Sequence, residues 1–220
     1  MVSYEKHTEN FESALLSIDR IAARKLIGGE VKFSSPFEII EKIIAPALER
    51  IGSKWESGEI ALAQNYMACK ISEEIVESIL PAEAPERARN PKIGVATLGD
   101  HHLLGKRMVI SFLRSLGFKV VDFGTDEPAV LIKKLDEEEI DILLVSILML
   151  NLTLKVKELR ALIDSRKLKT KIIAGGAPFQ LDPQLYLEIG ADAMAINSSD
   201  IVKHINGWRC ASLPAEEKFL

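Results

Sequence analysis

Residues 142–147 read Ile-Leu-Leu-Val-Ser-Ile, an apolar run that only Ser146 interrupts. A strand buried on both faces of a sheet has this nearly continuous apolar pattern, because helices cover both faces. Amphipathic stretches with helical spacing lie on either side of the run, at 129–138 and 154–166. The run therefore predicts a central strand of a parallel sheet.

The same alternation of strand and helix extends from residue 92 to residue 206. We predict strands at 92–98, 119–123, 142–147, 171–174 and 193–196, and helices at 106–116, 129–138, 154–166, 183–189 and 199–206. Such βα units favour a doubly wound parallel sheet with right-handed crossovers. The expected fold is α/β, flavodoxin-like (Rossmann-like), with five strands in the order 2-1-3-4-5. Its ligand crevice is expected at the carboxyl ends of strands 1 and 3.

The residues before the first strand have the apolar spacing of helices instead. The spaced residues are Phe11, Leu15 and Ile18 in one stretch and Ile39, Ile40, Ile43, Ile44, Leu48 and Ile51 in another. Gly28-Gly29 ends the second helix, Ser35 beside Pro36 caps the third, and residues 61–80 form the fourth. Four helices with short connections predict a small antiparallel bundle.

Segment 81–91 contains three prolines and no large apolar residue, which is typical of a linker. We therefore predict a four-helix cap domain at 1–80, a linker at 81–91 and the sheet domain at 92–220.

Composition argues against several classes of protein. The net charge is −4 and no lysine or arginine stripe dominates any segment, so we expect no nucleic-acid partner. We expect neither a membrane span nor a signal peptide, because no apolar run is long enough and no basic region precedes one at the start. Cys69 and Cys210 form no CxxC pair. The expected location is the reducing cytoplasm.

Three unusual stretches fall at the carboxyl ends of predicted strands. They are Gly99-Asp-His-His-Leu-Leu-Gly105 after strand 1, Ser146-Ile-Leu148 at strand 3, and Gly175-Gly176 at strand 4. The carboxyl ends of parallel strands share one edge of a sheet, where ligands bind in this fold class. We therefore expect one ligand site built from all three.

Asp100 and His102 are two residues apart, which directs both side chains to one side of an extended loop and His101 away from it. A carboxylate that accepts the proton of one ring nitrogen leaves the other nitrogen free for a metal. A single histidine offers a metal one ligand only, so a macrocycle such as a corrin would supply the rest. A helix-capping hydrogen bond or a general acid/base pair explains the same spacing.

The small and polar residues at this edge also have two possible roles, one structural and one in ligand binding. Gly105, Gly175 and Gly176 serve either backbone packing or the close approach of a bulky ligand. Ser146 in an apolar strand needs a partner, which is either a backbone carbonyl or a buried ligand atom.

The motif Asp100-x-His102-x-x-Gly105, followed by Ser146-x-Leu148 and Gly175-Gly176, resembles a known family. It is similar to the B12-binding module of cobalamin-dependent methionine synthase. It is more similar to the corrinoid proteins of methylamine, methanol and methoxyl methyltransferase systems. The helical region matches the cap of that family at 55–64, and the resemblance covers residues 10–208.

The resemblance implies a cobalamin bound base-off, with His102 on the cobalt and Asp100 on the second imidazole nitrogen. Ser146 would meet the buried benzimidazole beside Leu148, and the three glycines would make room for the nucleotide tail. The cap would shelter the upper face. The residues implied for the cofactor are Asp100, His101, His102, Leu103, Gly105, Ser146, Leu148, Gly175 and Gly176, with His102 as the metal ligand.

The function implied is that of a non-catalytic carrier subunit, whose Co(I) accepts a methyl group and, as methylcobalamin, delivers it. The implied partners are a substrate-specific methyltransferase and a methyl-acceptor methyltransferase on separate chains, with a reductive activator. The choice of methyl donor lies in the partner.

Three other functions fit the fold less well. A B12-dependent sensor would carry acidic and histidine residues after Trp55, where this chain has Asn65 and Tyr66. A carbon-skeleton mutase that uses adenosylcobalamin depends on a catalytic barrel and usually lacks such a helical cap. A response regulator would need an acceptor aspartate at the position of Ser146.

The chain departs from the family pattern at His101, where a small aliphatic residue is usual. It departs again after Leu148, where a hydroxyl usually supports the Asp–His pair. The first hydroxyl here is Thr153, so a proton relay through Asp100 is expected either to be weaker or to use Asn151. Trp55 is expected either in the core of the cap or at the border of the corrin.

Overall fold

The computed structural model of the chain describes residues 4–28, 35–80, 90–99 and 101–212. It contains two compact units, Met1–Arg87 with Ser111–Phe118 and Ala88–Ile110 with Lys119–Leu220. The predicted domain boundaries stay a prediction, because residues 81–89 of the linker lie outside the described part of the chain.

The first unit is built of helices. They are α1 (Tyr4–Leu16), α2 (Arg20–Gly28), α3 (Pro36–Ile39), a π-helical turn (Ile40–Ile44), α4 (Ala45–Glu56) and α5 (Leu62–Ile79). The helices α3 and α4 and the turn between them form one continuous stretch, so the described helices match the four that were predicted. Phe11, Leu15, Ile44 and Ile51 are fully buried, as their helical spacing predicts.

Two helix ends test the sequence predictions. Ser35 caps α3, because its side-chain oxygen accepts a hydrogen bond from the Glu38 amide at 3.2 Å, and this prediction is confirmed. The prediction that Ile18 continues the first helix is wrong. Ile18 lies beyond the end of α1 with φ of 59° and is 43% exposed. Asp19 then begins the next turn by accepting a hydrogen bond from the Ala22 amide at 2.9 Å.

The π-helical turn has a local cause in Pro46. Proline has no amide hydrogen, so it leaves the carbonyl four residues earlier, that of Lys42, without its helical donor. The buried Thr8 hydroxyl lies 3.1 Å from this carbonyl oxygen and 2.9 Å from that of Tyr4. Proline is a common cause of such irregular turns, and here a side chain of α1 compensates for it.

The second unit is a five-stranded parallel sheet with helices between its strands. The strands are β1 (Ile93–Leu98), β2 (Val120–Asp126), β3 (Ile142–Ser146), β4 (Lys171–Gly175) and β5 (Ala193–Ala195). The helices are α6 (Leu104–Ser115), α7 (Pro128–Glu137), α8 (Thr153–Ser165), α9 (Ala177–Leu181), α10 (Leu185–Glu188) and α11 (Ser198–Ser212). The strand order β2-β1-β3-β4-β5 confirms the prediction.

The predicted strands are all present, with ends shifted by a few residues, and β2 is longer than expected. The prediction missed α9, which begins directly after Gly176 with Pro178 in its first turn. The β2 strand also contains a bulge: Asp122 pairs with Val95, Gly124 pairs with Ala96, and Phe123 is the extra residue. No helix of the described residues is long and apolar enough to cross a membrane.

A buried carboxylate joins α5 to the second half of α6 within the first unit. Glu73 is 3% exposed and accepts hydrogen bonds from Lys70 at 2.6 Å, Ser111 at 2.8 Å and Arg114 at 3.3 Å. Burial raises the pKa of Glu73, but the hydrogen bonds from these three donors lower it more, so the net pKa lies below the ordinary value.

We expect Glu73→Gln to lower the free energy of unfolding at pH 7 by about 2 kcal/mol, because an amide accepts weaker hydrogen bonds than a carboxylate. A lowered pKa means that the ionised group stabilises the folded state above the unfolded pKa. This stabilisation is lost as the pH falls through the folded pKa. The difference between wild type and variant should therefore shrink below about pH 4.3.

Denaturant unfolding at several pH values measures this difference. Glu74→Gln is the matched control on the same helix, because Glu74 pairs with Arg20 and Arg24 at the surface. We expect the control to cost less than about 1 kcal/mol at any pH. Equal effects of the two variants would contradict the role given to Glu73.

Candidate functional site

The three stretches singled out in the sequence meet at one edge of the sheet, as predicted. Ser146 is the last residue of β3 and pairs with Gly175, the last residue of β4. Gly99 follows the end of β1, the strand that lies between β2 and β3. The sheet register therefore brings the ends of β1, β3 and β4 together.

Gly105 lies beside Ser146. A Cβ atom built on Gly105 would be 3.3 Å from Ser146 Oγ, which is closer than most side-chain carbons approach another atom. Ser146 is half-buried and Gly105 is exposed. Because Gly105 has no side chain, the Ser146 hydroxyl lies next to the position that a Cβ atom would occupy.

The backbone packs closely against both glycines at the end of β4, and it requires a glycine at position 176. A Cβ atom on Gly176 would overlap the carbonyl oxygen of Ile147 and lie 2.8 Å from its carbonyl carbon, and Gly176 has φ of 122°. A Cβ atom on Gly175 would lie 3.1 Å from the Ala195 carbonyl oxygen. Packing of strand ends explains both glycines, and their role toward a nucleotide tail stays a prediction.

The segment between β1 and α6 presents two histidines. His101 and His102 are both exposed, and Leu103 is half-buried. Asp100 lies outside the described residues, so its pairing with His102 stays a prediction. An exposed imidazole can offer a nitrogen lone pair to a metal brought by a ligand.

Several apolar side chains are exposed at the same edge. They are Leu104, Leu148, Met149, Leu150, Leu154 and Ile196, each between 44% and 66% exposed. They lie on the segments that follow β1, β3 and β5. Exposed apolar groups near a few polar ones are typical of a site for a large ligand or a partner.

The first hydroxyl after Leu148 forms a hydrogen bond within its own turn. Thr153 is buried and donates its hydroxyl to the Leu150 carbonyl oxygen at 2.7 Å. Asn151 is exposed on the short 3₁₀ turn Leu150–Leu152 before α8. The local turn therefore uses the one hydroxyl that the sequence offers here.

Two lysines near the candidate site were not among the residues predicted from the sequence. Lys106 in the first turn of α6 is 2% exposed and forms an ion pair with Asp122 of β2. Lys155 of α8 donates to both carboxylate oxygens of Glu127 at 2.7 Å and lies against Gly99. Lys106 directly follows the motif, but its partner is 16 residues away on another strand, so local spacing did not predict the pair.

The remaining residues that the sequence singled out lie in the first unit or near the end of the chain. Trp55 is half-buried in α4, and the choice between core and corrin border stays open. Cys69 is buried, as predicted, and burial followed by the charge of Glu73 raises the pKa of its thiol to about 12. The side chain of Cys210 lies outside the described part of the chain.

Comparison with known proteins shows which cofactor the family of this chain binds. A B12 binding domain model matches residues 91–205, and a second B12 binding domain model matches residues 8–79. The chain is 32% identical over 212 residues to dimethylamine corrinoid protein 2 of Methanosarcina acetivorans, covering 92% of this chain and 95% of the relative. The chain belongs to the family of B12-binding corrinoid proteins. The predicted cofactor, a cobalamin-type corrinoid, is therefore confirmed.

Solved structures share the fold of this corrinoid protein. A cobalamin-binding protein from Desulfitobacterium hafniense has a TM-score of 0.74 at 21% identity, over 94% of this chain and 99% of that one. A chain of the methanol:cobalamin methyltransferase complex of Methanosarcina barkeri has a TM-score of 0.67 at 17% identity, over 97% of this chain and 83% of that one. These likenesses confirm the α/β fold with a helical cap.

Proposed function

We propose that this corrinoid protein is a methyl carrier in which His102 is the lower ligand of a base-off cobalamin. The observation that carries the proposal is the place of His102. It is an exposed imidazole in the segment between β1 and α6, and the same segment leads to Gly105, which lies beside Ser146. A cobalamin held there would supply a cobalt atom that accepts a methyl group and releases it again.

The residues around His102 suit this role chemically. A neutral imidazole binds a metal through one nitrogen, and Asp100 would accept the proton of the other nitrogen and fix the tautomer. Ser146 would donate its hydroxyl to a ring nitrogen of the displaced base, because a half-buried hydroxyl needs a partner. The absence of a side chain at Gly105 would leave room for that base.

The proposed partners are separate methyltransferases, one specific for the methyl donor and one for the acceptor, with a reductive activator. The similarity to a dimethylamine corrinoid protein and to a chain of a methyltransferase complex supports this assignment. The exposed leucines after β3 offer an apolar surface at the same edge as His102.

The test is reconstitution of the purified protein with hydroxocobalamin, followed by gel filtration and by EPR of the reduced Co(II) form. We expect the wild type to retain the corrinoid and its Co(II) signal to show nitrogen coupling from a ligand of the protein. In His102→Ala this coupling should disappear, because the imidazole nitrogen is gone.

His101→Ala is the matched control, since it removes an equally exposed imidazole from the neighbouring position. Its Co(II) signal should equal that of the wild type. Expression of the protein with ¹⁵N-histidine shows whether the coupled nitrogen belongs to a histidine of the protein or to the benzimidazole base of the cobalamin. Unchanged coupling in His102→Ala would rule out the proposed ligand.

A further inference from the structure

The segment that carries His102 leaves β1 against a lysine of α8. Gly99 follows β1 with φ of 68°, and a Cβ atom built on it would overlap Lys155 Nζ and lie 3.4 Å from Lys155 Cε. The same atom would lie 3.2 Å from Glu127 Oε1. Only a glycine allows the ammonium and the carboxylate to sit so close to the main chain where the segment begins.

Glu127 holds Lys155 in this place. Lys155 Nζ donates to both carboxylate oxygens of Glu127 at 2.7 Å, and Glu127 stands between β2 and α7. The pair therefore connects α8 to the end of β2 across Gly99. Lys155 is 28% exposed and Glu127 is 60% exposed, so the pair adds little to global stability and acts on local geometry.

The other end of the segment is held by a second lysine. Lys106 in the first turn of α6 is buried and forms an ion pair with the more exposed Asp122, and Asp122 Oδ1 also accepts a hydrogen bond from the Gly124 amide at 2.8 Å. The start of α6 is thus tied to the bulged part of β2. A buried ammonium is costly away from its carboxylate, so this end of the segment has one favoured position.

We infer that Lys155 and Lys106 are positioning residues that fix the two ends of segment 99–106 and so hold His102 in place for its ligand. The inference rests on the proposed role of His102. A short segment with both ends fixed has few conformations, so its imidazole loses little entropy on binding a metal. Neither lysine touches the ligand in this scheme. Each acts through the backbone.

The experiment compares Lys155→Met and Lys106→Met with Lys134→Met, each loaded with hydroxocobalamin and reduced to Co(II). Lys134 pairs with Asp126 at 2.7 Å, one residue before Glu127. Its variant removes a lysine ion pair at the same strand end but leaves Lys155 and Lys106 in place, so it is the matched control. We expect the nitrogen-coupled share of Co(II) to fall at least about twofold in the first two variants and to stay unchanged in the control. A general loss of structure is excluded by thermal melting of each variant.

Amide hydrogen exchange of residues 101–105 in the corrinoid-free protein is the second readout. We expect about tenfold faster exchange in Lys155→Met and Lys106→Met, and no change in Lys134→Met. If the wild type shows nitrogen coupling and the lysine variants keep both the coupling and the slow exchange, the inference is overturned while the proposed function stands. If the wild type shows no coupling, the proposed function fails, and the exchange rates alone decide whether the lysines hold the segment.

Discussion

Gly176→Ala is expected to lower the free energy of unfolding by about 4 kcal/mol, the largest single effect that we predict. A φ of 122° is costly for any residue with a Cβ atom. The added atom would also overlap the Ile147 carbonyl oxygen, which belongs to the backbone and has no rotamer by which to move away. Relief would require separating the ends of β3 and β4, where the Ile147 amide donates to the Gly175 carbonyl at 2.9 Å.

Thermal melting measures this effect, and a loss of 4 kcal/mol corresponds to a melting temperature lower by about 8–16 °C in a domain of this size. Gly207→Ala is the control, because Gly207 lies in α11 with no atom within 4 Å of the added carbon. The control should be neutral or stabilising by about 0.5–1 kcal/mol. A Gly176→Ala protein that melts like the wild type but no longer retains cobalamin would instead assign Gly176 to the ligand.

Asp122→Ala is expected to destabilise the protein by about 3 kcal/mol, because it leaves the ammonium of Lys106 buried without a counter-charge. Lys106→Met is expected to cost less than about 1.5 kcal/mol. The two variants are expected to differ in cost because the two side chains differ in exposure. The Lys106 side chain is 3% exposed, whereas the Asp122 side chain is 41% exposed and reaches water. A methionine also fills the space of the lysine stem without burying a charge.

Denaturant unfolding of the two single variants and of the double variant measures the asymmetry. The double variant Lys106→Met/Asp122→Ala should be more stable than Asp122→Ala alone, because the unpaired charge is no longer present. Asp122→Asn is the matched control, since it retains an acceptor for the Gly124 amide. Equal costs for the two single variants would show that Lys106 is not held in a dry site.

The order of the sheet could be predicted from local patterns. The apolar run at 142–147 has the composition of a strand covered on both faces, and each predicted strand is followed by a stretch of helical spacing. Right-handed crossovers then leave few topologies, of which 2-1-3-4-5 is found. The short helix α9 was missed because five residues are too few to show a helical period.

The sequence by itself determined that the three unusual stretches lie at one edge of the sheet, and it determined the residue types available there. Gly99, Gly105, Ser146 and Gly175 follow or end strands, and parallel strands bring such positions together whatever the rest of the chain does. The motif around His102 could also be found from the sequence, because it is contained in one short segment.

Only the tertiary structure decided which groups meet across elements. Lys106 of α6 pairs with Asp122 of β2, and the Lys155 side chain of α8 lies against Gly99 after β1. Gly176 is required by Ile147, a residue 29 positions earlier in the chain. These contacts depend on strand register and on where the helices pack, and both are set by distant segments. The apolar spacing within one segment therefore cannot predict them.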